Sequence, residues 1–109
     1  MTFEEYQQLA ARTMNQNLDD EETEWHALFE MCSEVGEIHG IYQKYYQGHE
    51  IDIDALTLEI GDLLWGIAEL CTVNSINLDT VAERNIAKLR KRYPDGFDVD
   101  RSLNRGDES

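Results

Sequence analysis

Proline, cysteine and basic residues are all scarce in this 109-residue chain. One proline and seven glycines leave long stretches without helix breakers, so extended helices are permitted. Two cysteines, Cys32 and Cys71, with no CxxC spacing between them, argue against a disulfide framework or a zinc site. Both fall on apolar positions of predicted helices and read as buried thiols. Only Arg12 and Lys44 are basic before residue 84, and no basic region precedes an apolar one at the N-terminus. The first apolar residues there are interrupted by Glu4, Glu5, Gln7 and Gln8, unlike a signal peptide. The longest apolar run, Ala55 to Val73, carries Glu59, Asp62 and Glu69, which excludes a membrane span. A cytoplasmic protein is expected.

Acidic residues are abundant. The net charge of −14 excludes a general nucleic-acid binder, which needs a basic surface. Seven of the nine basic residues (Arg84, Lys88, Arg90, Lys91, Arg92, Arg101, Arg105) lie in the last 26 positions. An acidic body with a basic C-terminal quarter suits a small anion bridged to carboxylates by a metal ion. The 41 % hydrophobic content supports one folded domain, expected over residues 1–97, with a polar tail over 98–109.

The periodicity predicts an all-α chain of four helices. The first spans about Thr2 to Asn15, opened by the capping-box pair Thr2 and Glu5. Asp19 or Asp20 caps a second helix over about 21–46, whose apolar arc includes Leu28, Met31, Val35, Ile38, Tyr42 and Tyr46, widened by Trp25 and Phe29. Its interior Gly36 and Gly40 are expected to admit a neighbouring backbone, and Gly48 to end it. A third helix follows Asp52 or Asp54 and runs to about Asn74. It is apolar almost all round, as a central helix is. The fourth covers about 78–92, with Leu78, Ala82, Ile86, Leu89 and Tyr93 as its core stripe and Asn85, Lys88 and Arg92 on the adjacent face. Pro94-Asp95-Gly96 stops it.

Two acidic pairs carry the chemistry. Glu34 and Glu37, and then Glu59 and Asp62, stand three residues apart, which puts each pair on one helical face. Carboxylates on an otherwise apolar helix are costly unless paired, protonated or bound to metal. Two such helices side by side gather four anions, an arrangement that calls for a cation. Hard oxygen donors without a spaced His or Cys point to Mg²⁺, with Mn²⁺ as a substitute. His26, His39 and His49 have no ligand spacing and read as ordinary histidines, and Glu30 and Glu69 as supporting carboxylates. Asn85, Lys88 and Arg92 could meet phosphates opposite the metal. Trp65, one turn after Asp62, could stack on a nucleobase.

The run Glu34-x-x-Glu37, Glu59-x-x-Asp62, Asn85-Ile86-Ala87-Lys88-Leu89 and Arg92-Tyr93-Pro94-Asp95-Gly96-Phe97 resembles the MazG-type nucleoside triphosphate pyrophosphohydrolases. The resemblance extends from about Trp25 to Arg105 and is to short single-domain members. It implies an all-α, four-helix MazG-like bundle completed by oligomerisation, as a homodimer or homotetramer with sites shared across chains. It implies Mg²⁺-dependent cleavage of an NTP or dNTP to the monophosphate and pyrophosphate, a nucleotide-pool house-cleaning reaction. Glu34, Glu37, Glu59 and Asp62 would be the metal ligands, with Glu34, Glu37 and Lys88 in the catalytic apparatus. Asn85, Lys88, Arg92 and Trp65 would contact substrate, Lys88 countering charge on the leaving pyrophosphate. Ser33 stands where some relatives carry a further glutamate proposed to activate water, which leaves the general base open. That departure also motivates a competing expectation, a non-catalytic helical module binding nucleotide or a partner protein.

Overall fold

The computed structural model describes residues 1–104, which form α1 (Phe3–Ala11), α2 (Asp20–Tyr46), α3 (Ile53–Val73), α4 (Leu78–Arg92) and α5 (Val99–Leu103). No strand occurs among the described residues. The all-α expectation holds, with one addition. Residues 99–103, within the segment expected to be a polar tail, form a short helix capped by Asp98, whose side chain accepts from the Arg101 N–H. Arg105 lies outside the described residues.

Local chemistry sets the boundaries. Thr2 and Glu5 exchange both capping-box bonds at 3.0 Å, and Asp19 and Glu22 do the same at the start of α2. Helix α1 stops at Ala11, short of the expected Asn15. The Thr13 hydroxyl donates to the Ala10 carbonyl at 2.9 Å, and the N–H groups of Thr13 and Met14 reach back only three residues. A hydroxyl competing for the last carbonyls tightens the chain into a turn there. Gly48, at φ 103°, closes α2 in a conformation that costs a side chain dearly.

Helix α3 is central, packing on α2 along its length and on α1. The tightest point is Gly66, where an added Cβ would meet Met31 Cγ at 2.8 Å and the Ala27 carbonyl oxygen at 3.6 Å. Close approach therefore occurs at α3, not at Gly36 or Gly40, whose missing side chains face open space. Gln7 fastens α1 to the next turn: its amide donates to the Ile76 carbonyl at 2.8 Å and to Thr72 Oγ1 at 3.2 Å. Its carbonyl accepts the Leu78 N–H at 2.8 Å, one of the donors α4 cannot satisfy internally.

Among the described residues the buried apolar side chains are Ala27, Ala68, Cys71 and Leu78. Cys32 is exposed, against expectation, as are Trp25 and Phe29, which stack on each other with ring centroids 5.9 Å apart. The arc that was expected to be core on α2 is wider than the contact α3 makes with it. Helix α4 packs chiefly on α1. Of its stripe, Leu78 is buried while Ile86 and Leu89 are exposed. The radius of gyration is 17.1 Å, against about 13 Å for a compact domain of this length. No helix among the described residues is long and apolar enough to cross a membrane.

Candidate metal centre

Glu34 projects from the middle of α2, one turn after Glu30 and one before Glu37, while Glu59 and Asp62 occupy successive turns of α3. Packing of α2 on α3 brings one carboxylate oxygen each from Glu34, Glu59 and Asp62 within 4.8 Å of one another. Oε2 of Glu34 is buried without a hydrogen-bond partner. Its carboxyl is pushed up to about 7. The main cause is a hydrogen bond with the Glu59 carboxyl. Burial, the negative charges of Asp62 and Glu59, and a hydrogen bond with Glu30 add to it. The charge of Asp62 reaches α1 as well: burial first, then that carboxylate, raise the Tyr6 hydroxyl.

These residues fit a hard divalent cation. All donors are carboxylate oxygens, one is buried and unpartnered, and a cation would relieve the repulsion from Asp62 and Glu59 that adds to the hydrogen bond and burial in raising the Glu34 carboxyl. Glu37 is exposed on the following turn and outside the group within 4.8 Å. Trp65 lies one turn along α3 from Asp62, and both line a hollow described below. Asn85 and Lys88 are exposed on α4 and line no wall of that hollow. Arg92, at the end of α4, presents its carbonyl to Arg101 at 3.3 Å.

The model of the MazG nucleotide pyrophosphohydrolase domain matches residues 4–97. The chain belongs to this family. The matched region takes in α1, which the motifs quoted from the sequence do not reach. No curated protein and no solved structure matches the chain.

Beside the acidic group, this MazG domain holds a pair that spacing could not reveal. His26 Nδ1 and Glu69 Oε1, 43 positions apart in sequence, are 2.6 Å apart. Glu69 is 1 % exposed, and its Oε2 is buried without a hydrogen-bond partner. His26 is therefore not the ordinary histidine that its surroundings in sequence suggested. The one available signal was Glu69 itself, a carboxylate on an otherwise apolar stretch of α3. His26, Glu30, Asp62 and Trp65 line a hollow of about 440 Å³ together with Thr13 and Asn15. The Trp65 indole N–H donates to Thr13 Oγ1 at 2.9 Å, which ties the floor of the hollow to the end of α1.

Proposed function

We propose that this chain hydrolyses a nucleoside triphosphate, NTP or dNTP, between the α and β phosphates, giving the monophosphate and pyrophosphate. The observation that carries this reading is the acidic group: three carboxylates from two helices within 4.8 Å, in a chain of the MazG nucleotide pyrophosphohydrolase family. Glu34, Glu59 and Asp62 hold Mg²⁺, or Mn²⁺ in its place, and Glu37 completes the set from the adjacent turn. Bound there, the ion supplies charge neutralisation and Lewis acidity to the triphosphate.

The chain's own residues do the rest. Glu34 must give up its proton for the site to load, so its carboxyl links metal affinity to pH. Glu30, hydrogen-bonded to Glu34, stands nearest to the role of the base missing at Ser33. Lys88, with Asn85 and Arg92, meets the phosphates and counters charge developing on the leaving pyrophosphate. Because α4 packs chiefly on α1, a second copy delivers these residues to the acidic group. The exposed Ile86 and Leu89, the exposed aromatic pair on α2 and the extended shape support a homodimer or homotetramer. The setting is cytoplasmic, and the role is house-cleaning of the nucleotide pool.

Pyrophosphate release from a panel of NTPs and dNTPs, with and without Mg²⁺ and beside Glu34→Gln, tests the proposal. Metal-dependent release that the variant lacks supports it. Nucleotide binding without release would favour a non-catalytic module, the reading that Ser33 motivates.

A further inference from the structure

We infer that His26, clamped by Glu69, is the residue through which this site recognises the base of its nucleotide. The inference rests on the hydrolase reading for the orientation of the substrate, and it names a contact that reading does not supply.

Glu69 is hard to explain as a structural residue. It sits at 1 % exposure between the core residues Ala68 and Cys71 on α3, with one carboxylate oxygen unpartnered. A well-packed apolar side chain in such a place is commonly as stable as a buried ion pair, or more so. What the carboxylate achieves is the fixing of an imidazole. A carboxylate only accepts, so Nδ1 donates to it and Nε2 is the nitrogen left for the hollow. The His26 ring stands at 84° to the Trp65 indole with centroids 6.1 Å apart. The indole in turn is pinned through Thr13, whose hydroxyl donates to the Ala10 carbonyl. An aromatic plane and a polar atom are thus held rigidly beside each other, and the His26 side chain is 41 % exposed.

The position of the hollow selects its occupant. Asp62 belongs both to the acidic group and to the hollow's wall, so a nucleotide with its phosphates at the metal has this space next to it. Away from the metal, the lining of Thr13, Asn15, His26 and Trp65 includes no Lys or Arg to hold a phosphate and suits a neutral, flat, hydrogen-bonding group. Nε2 and the Asn15 amide offer the polar contacts, and Trp65 the stacking face.

His26→Asn is the informative variant, since its amide N–H keeps a donor toward Glu69 while Nε2 is lost. Glu69 is a positioning residue. Glu69→Gln retains an acceptor for Nδ1, and Glu69→Leu removes it. The measurement is the ratio of kcat/KM for the preferred nucleotide to that for base-free ribose triphosphate. The same ratio is read in calorimetric affinities of non-hydrolysable α,β-imido triphosphates. We expect His26→Asn and Glu69→Leu to lower both ratios about tenfold, the effect of one lost hydrogen bond, and Glu69→Gln to restore most of it. Glu69→Leu should melt no lower than the wild type. A ratio unchanged in His26→Asn, or a wild type blind to the base in both assays, overturns the inference. A wild type that releases no pyrophosphate removes the hydrolase reading alone. The affinities then decide: a base preference lost in His26→Asn supports recognition by His26, and no binding or a base-blind affinity overturns it.

Discussion

Substituting Glu34 by glutamine should make the metal-free protein more stable and the enzyme inactive. The Glu34 carboxyl has an ordinary value of 4.5 and is raised to about 7 in the folded chain, first by its hydrogen bond with Glu59. A carboxyl raised by folding stabilises the native state while protonated. That contribution is complete below pH 4.5 and is lost as pH rises through about 7. The full displacement corresponds to about 3 kcal/mol. Glu34 is only partly buried, so solvent screening reduces the effect to about 1–2 kcal/mol. Glutamine retains an N–H for Glu59 and cannot ionise, so it mimics the protonated side chain at every pH.

In chelator-treated protein at pH 8, Glu34→Gln should therefore unfold about 5–10 °C above the wild type. At pH 5 the two curves should nearly coincide. Adding Mg²⁺ should reverse the order at pH 8. Saturation at a hundred times Kd stabilises the wild type by about 2.7 kcal/mol, and the variant has lost the donor that the ion needs. Thermal unfolding by circular dichroism at fixed protein concentration, over pH 5 to 8 and with either chelator or metal, measures all of this. Parallel pH profiles for the two proteins without metal would refute the account of Glu34, whatever the activity assay shows.

Other expectations follow from the same geometry. Glu59→Gln and Asp62→Asn should each abolish metal-dependent turnover, whereas Glu37→Gln, outside the close group, should lower apparent Mg²⁺ affinity and retain measurable release. If α4 serves a neighbouring chain, Lys88→Ala and Glu34→Gln should each be inactive alone. After mixing and subunit exchange they should recover about a quarter of wild-type activity, the statistical share of intact sites in a dimer. No recovery, with exchange verified, would put Lys88 with its own chain's carboxylates. Gly66→Val should cost about 1–3 kcal/mol in denaturant unfolding by forcing α2 from α3. Gly40→Ala, facing open space, should gain about 0.5–1 kcal/mol from helix propensity.

Local signals were legible in the chain. The capping pair Thr2–Glu5, the cap at Asp19 or Asp20, the stop at Gly48 and the start of α4 all depend on residues within a turn of each other, and each is legible to within a residue or two, whereas Glu22 as the partner of Asp19 is not. The end of α1 escaped because Thr13, which the periodicity places inside the helix, turns its hydroxyl onto the Ala10 carbonyl. The same division runs through the site. Glu59 and Asp62 announced themselves by sitting on an apolar helix, which is a cost visible one helix at a time. The meeting of Glu34 with them needs only that α2 and α3 be neighbours, and two long helices joined by a short turn have little alternative.

His26 carried no such cost. A histidine on an amphipathic helix is unremarkable until the residue against it is known, and that residue is 43 positions away on α3. The converse case is α4. Its apolar stripe, Ile86 and Leu89 among it, reads from sequence as core because periodicity reports that a face is to be covered and not by which chain. The exposed stripe and the exposed Lys88 are on the same helix, so whatever covers the first also determines where the second can act. The second copy proposed above would account for both at once. The proposed second copy would also suit the radius of gyration of the single chain, 17.1 Å, against about 13 Å for a compact domain of this length.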